Sequence, residues 1–135
     1  MKKEQSDLVR AWLVKAQKDL FVAQDTLKYG AEYTDVTCFH AQQAAEKSLK
    51  AYLVWLEIEF PKTHVLGDLL DLIAQRDTIL ESNREAIESL TPFAVEARYP
   101  EFFLPTLIEA KEAVETAVQV LDRVKSALPK ECLPS

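Results

Sequence analysis

The chain has 135 residues, 48% hydrophobic and 28% charged, with only two glycines and six prolines. So few turn formers exclude a strand-rich fold, and a chain of this length can bury a core of its own. The 16 Lys and Arg against 22 Asp and Glu give a net charge of −6, which argues against broad non-specific contact with nucleic acid or an anionic membrane.

Apolar residues at Val9, Leu13, Ala16, Leu20, Ala23 and Leu27 recur at helical spacing and predict a first helix of about six turns. Tyr29-Gly30 supplies a stop, because glycine tolerates the left-handed conformation there, and Thr34 or Asp35 is placed to cap the next helix. That second helix is predicted from Asp35 to Glu57. Its apolar stripe of Cys38, Ala41, Ala45, Leu49, Leu53 and Leu56 begins with small residues that admit a close neighbour. Phe60-Pro61 is read as its end.

A short third helix is expected from His64 to Gln75, with Leu66, Leu69, Leu70 and Ile73 buried and Thr63 as cap. Ser82-x-x-Glu85 is a capping-box pattern for a fourth helix, and Thr91-Pro92 marks a kink or fresh start with Thr as cap. Thr106-x-x-Glu109 opens a long last helix through Leu128, and Pro129 and Pro134 bracket a tail expected to fray. The prediction is all-α, an up-and-down bundle of four to five helices, in a single domain over residues 1–135 with its core at 6–128 and a tail at 129–135.

Cys38 and Cys132 form no Cys-x-x-Cys pair, so neither a disulfide nor a thiolate metal site is read, and a reduced cytoplasmic protein is expected. Met1-Lys2-Lys3 continues into Glu4, Gln5, Ser6 and Asp7 without the apolar region of a secretory signal. No apolar run approaches a membrane span. With only Gly30 and Gly67 available, a glycine-rich phosphate loop is excluded.

Three groups of residues carry candidate chemistry. His40, Gln43, Lys47 and Lys50 share one helix face, fit for an anionic ligand; the alternative is a solvated face on which Gln42, Glu46 and Lys50 form ordinary intrahelical pairs. His64 lacks a Glu-x-x-His partner, so metal binding is not expected, and donation to a backbone carbonyl at a helix start is its alternative role. Arg98-Tyr99-Pro100 sets a guanidinium beside an aromatic ring, able to clamp phosphate or stack on a base, unless Glu96 or Glu101 pairs with the arginine. Cys38 and His40, two positions apart on a helix, point to different sides and make no nucleophilic dyad.

The run Cys38-Phe39-His40-Ala41-Gln42-Gln43-Ala44-Ala45-Glu46-Lys47-Ser48-Leu49-Lys50-Ala51 closely resembles the marker helix of HEPN domains, the higher eukaryotes and prokaryotes nucleotide-binding family. Matches in the family's order include Ala16 with Asp19-Leu20, Pro61-Lys62-Thr63-His64 and Arg98-Tyr99-Pro100. The resemblance, spanning about residues 6–128, implies a helical bundle, a homodimer, and a minimal nucleotidyltransferase as partner. It divides members between ribonuclease toxins, with Arg and His separated by four to six intervening residues, and non-catalytic nucleotide- or partner-binding members. After Arg98 the His position falls on Phe103, Leu104 or Pro105, and Arg10, Arg76, Arg84 and Arg123 lack the His as well. The resemblance therefore implies a non-catalytic module binding a nucleotide through His40, Gln43, Lys47, His64, Arg98 and Tyr99, with no cofactor or metal. A divergent endoribonuclease using Arg98 with His40 or His64 is the alternative.

Overall fold

The structure is a computed structural model and describes residues 2–135. Three long helices, α1 (Lys3–Leu27), α2 (Thr34–Trp55) and α6 (Leu107–Ala127), carry the bundle. The short helices α3 (Leu66–Ala74), α4 (Arg84–Glu88) and α5 (Phe93–Glu96) lie between the second and the last. The all-α bundle read from periodicity is the fold observed. No helix of the described residues is long and apolar enough to cross a membrane.

α2 is the central element, packed against α1, α6, α3 and α5. Its small residues explain why. Cys38, Ala41 and Ala45 are fully buried, as are Ala16 and Ala23 of α1, and such side chains bring two helix backbones close. Leu13, Leu49, Leu53, Val120 and Leu121 complete the contiguous core, and Leu66, Leu69, Leu70 and Ile73 bring α3 onto it. Trp12, Trp55 and Phe93 are partly buried against this core.

The local signals were met unevenly. The Thr106–Glu109 capping box forms, with Glu109 N–H donating to Thr106 Oγ1 at 3.1 Å and Thr106 N–H to Glu109 Oε1 at 2.9 Å. The Ser82 box does not: Ser82 Oγ donates to Asn83 Oδ1, and a 3₁₀ turn at Glu81–Asn83 leads into α4. Neither Thr34 nor Asp35 caps α2, because a 3₁₀ turn at Ala31–Tyr33 runs straight into the helix. Thr34 Oγ1 instead donates to the Pro105 carbonyl at 2.6 Å.

α3 begins at Leu66, two residues later than His64. Thr63 Oγ1 accepts from Val65 N–H, while the cap of α3 comes from a distant residue, Leu66 N–H donating to Thr91 Oγ1 at 3.1 Å. Thr91 therefore caps α3 and not the segment that follows it. α2 ends before Phe60-Pro61, where Glu57 adopts a left-handed φ of 60°. Ile58 N–H donates to the Leu53 carbonyl and Glu57 N–H to that of Val54, a Schellman closure built without glycine.

The tail is packed. Pro129 leads into a 3₁₀ turn at Lys130–Cys132 that lies on α1, with Cys132 fully buried and the Arg10 guanidinium donating to the Glu131 carbonyl. The expectation of fraying fails because Leu128 and Cys132 both contribute apolar surface to the core.

Candidate functional site

The candidate residues gather around one side of α2. At about 100° per residue, Gln42, Glu46, Lys50, Gln43, Lys47 and His40 span an arc of about 160°, and Phe39 falls within the same arc near the start of the helix. Two carboxylates organise this arc from its two flanks.

On the first flank stands Asp19 of α1, whose side chain is 12% exposed. Its Oδ1 meets His40 Nδ1 at 2.8 Å and its Oδ2 accepts from Lys47 Nζ at 2.5 Å. On the other flank Glu46, itself on α2, meets His64 Nδ1 at 2.9 Å through Oε1 and accepts from Lys50 Nζ at 2.9 Å through Oε2. Each carboxylate thus holds one histidine and one lysine. Two amides extend the Glu46 cluster: Gln43 Nε2 donates to Gln42 Oε1 at 2.7 Å, and Gln42 Nε2 donates to Glu46 Oε1 at 3.1 Å.

Lys50 leaves the stripe on which it was counted with His40, Gln43 and Lys47, and turns to Glu46. The intrahelical pairs Gln42–Glu46 and Glu46–Lys50 do form, but not on a solvated face: Gln42, Glu46 and Lys50 are 0%, 3% and 8% exposed. Burial alone would raise the Glu46 pKa. The hydrogen bonds from His64, Lys50 and Gln42, with the Lys50 charge, outweigh it and hold the carboxyl below its ordinary value. His64 pairs with a carboxylate and not with a backbone carbonyl.

Arg98 reaches the same arc from the α5 end. Its guanidinium lies 5.1 Å over the Phe39 ring, and the Phe39 and His40 rings stand 5.2 Å apart. Neither Glu96 nor Glu101 forms an ion pair with it among the described residues. Arg98 and the half-exposed Tyr99 line a cleft of about 330 Å³ together with Phe93, Phe102, Asp35 and Glu96. No hydrogen bond or ring contact among the described residues ties Tyr99 to the α2 arc. A larger cleft, about 540 Å³, lies between α4, α5 and α6, where Glu85, Glu109 and Glu112 make it acidic.

His40, Gln43, Lys47, His64 and Arg98 are therefore linked through α2, whereas Tyr99 stands aside from it. Asp19 and Glu46 were not among the site residues expected from sequence. The signal was present: Asp19 interrupts the buried stripe of Ala16, Leu20 and Ala23, and Glu46 lies between the apolar positions Ala45 and Leu49. Cys38 takes no part, since burial first, then the nearby Glu109 and Asp35, pushes its thiol up to about 12.

An all-helical bundle whose central helix carries a partly buried polar arc defines the class of protein. The description of the family that matches is HEPN domain, over residues 9–127. The chain belongs to the HEPN family. It is 30% identical, over 90% of its length and 89% of the relative's, to the Methanocaldococcus jannaschii protein named "Putative toxin MJ1304". Among solved structures it is similar to TT1696 from Thermus thermophilus, with a TM-score of 0.73 and 30% identity over 89% of this chain and 98% of that one. It is also similar to ST0689, an archaeal HEPN homologue, with a TM-score of 0.69 and 25% identity over 88% and 96% of the two chains.

Proposed function

We propose that this chain is a non-catalytic HEPN module that binds a nucleotide, serves as companion to a minimal nucleotidyltransferase in a toxin–antitoxin-type pair, or does both. The observation that carries the nucleotide reading is Arg98: an exposed guanidinium resting on an aromatic ring, with no carboxylate paired to it among the described residues, beside a histidine and a lysine held by Asp19. Arg98 meets phosphate, Tyr99 stacks on the base, and His40, Gln43 and His64 supply polar contacts. Lys47, its charge shared with Asp19, adds positive potential without leaving its partner. The module works as a homodimer in the reduced cytoplasm, the compartment suited to two buried thiols.

Calorimetric titration with ATP and GTP tests this reading. Heat of binding is expected for the wild-type chain and is lost in Arg98→Ala; no heat with either nucleotide contradicts it. The partner reading predicts co-purification with a nucleotidyltransferase.

One observation favours a second reading, a divergent endoribonuclease. Asp19 orients His40 as a carboxylate orients a general base, and the similarity to a protein named as a toxin points the same way. Toxicity on overexpression and RNA cleavage, both abolished by Arg98→Ala, support it; an inert protein in both assays removes it.

A further inference from the structure

The two carboxylates do more than neutralise lysines. An ionised carboxylate can only accept a hydrogen bond, so the short contacts from Asp19 Oδ1 to His40 Nδ1 and from Glu46 Oε1 to His64 Nδ1 require a proton on each Nδ1. In the neutral ring the proton on Nδ1 leaves Nε2 as a bare lone pair. Lys47 and Lys50 each donate to the second oxygen of one carboxylate and so fix its direction.

The burial of these groups needs an explanation that stability does not supply. Glu46 and Lys50 side chains are 4% and 10% exposed, and Asp19 is 12% exposed. Well-packed apolar residues in place of such pairs are commonly as stable or more so. What an apolar replacement cannot do is set the tautomer of a histidine. The histidines themselves stay accessible, with side chains 28% and 54% exposed.

We propose that Asp19 and Glu46 are positioning residues that hold His40 and His64 as Nε2 acceptors, and that His40, the histidine beside the Phe39 ring on which Arg98 rests, takes a ribose hydroxyl of the bound nucleotide. The ribose assignment rests on the nucleotide reading above. An ionised phosphate oxygen offers no hydrogen to such a lone pair, so the neutral His40 ring selects for the sugar while Arg98 selects for the anion. A nucleotide without its 2′ and 3′ hydroxyls leaves the His40 acceptor unpaired.

Imidazole nitrogen NMR and calorimetry on the full chain together test the proposal. In the wild type both histidines are expected in the Nδ1–H tautomer when neutral. The isosteric Asp19→Asn releases His40 alone and Glu46→Gln releases His64 alone, with the helical circular dichroism spectrum showing that each variant is folded. A wild-type His40 or His64 with its proton on Nε2 overturns the assignment whatever binds. ATP is expected to bind about tenfold more tightly than 2′,3′-dideoxy-ATP, a ratio that shrinks towards one in Asp19→Asn. Equal binding of the two nucleotides defeats the ribose assignment and leaves the nucleotide reading standing, whereas no binding of either removes both.

Discussion

Glu46 is the residue on which local chemistry bears most directly. A carboxylate that is nearly inaccessible stays charged because three neighbours donate to it or face it with charge: His64, Lys50 and Gln42. Its pKa is lower in the folded chain than in the unfolded one. The stability this contributes is therefore present above the unfolded value, near 4.5, and is lost as pH falls through the lower folded value. Thermal melts from pH 7 down to pH 3 should show the wild type losing stability at the acid end, with that component missing in Glu46→Gln. A variant that falls as steeply as the wild type contradicts the assignment. At this scale the sequence was partly legible. The residue types at His40, Gln43, Lys47 and His64 announced polar chemistry, but the partners Asp19 and Glu46 look like ordinary helical acids until the fold buries them.

At the scale of the element, regular helices were readable and their ends were not. Periodicity located α1, α2 and α6 because buried stripes repeat over many turns, and the error of any one residue averages out. Ends depend on single hydrogen bonds, which other parts of the chain can supply. Thr91 capping α3 across the fold is such a case, and no local pattern around Leu66 reveals it. The α2 terminus is another, where Glu57 takes a conformation that costs a side-chain-bearing residue roughly 1–2 kcal/mol. Glu57→Gly should accordingly stabilise the protein by about 0.5–1 kcal/mol in chemical denaturation, after glycine's larger unfolded-state entropy is offset. A destabilised variant would show that the left-handed cap is not strained.

For the whole molecule, the excess of acidic residues and the local gathering of cations have to be read together. A chain of net charge −6 gathers Lys47, Lys50 and Arg98 about one side of its central helix, where Asp19 and Glu46 pair with the two lysines, and the proposed nucleotide reading assigns its anionic ligand to Arg98 on that side and not to the acidic α4–α6 cleft. The other large-scale feature is apolar. Phe103 is fully exposed, with Phe102 and Leu104 each about half exposed beside it, a patch that the dimer reading assigns to a second copy of the chain. Phe103→Asp is expected to shift the mass measured by sedimentation from dimer to monomer; a wild type that sediments as a monomer contradicts the dimer reading. The fold was legible because composition and periodicity are properties of the whole chain. The exposed patch was not, since exposure is decided by how the short helices turn back towards α6.

The central claim is that the ligand of this protein meets the α2 arc and Arg98. Residue-resolved NMR during titration with GTP tests it most directly. Shift changes concentrated at His40, Gln43, Lys47, His64, Arg98 and Tyr99 are the predicted result; changes centred on the α4–α6 cleft, or none at saturating nucleotide, would contradict it.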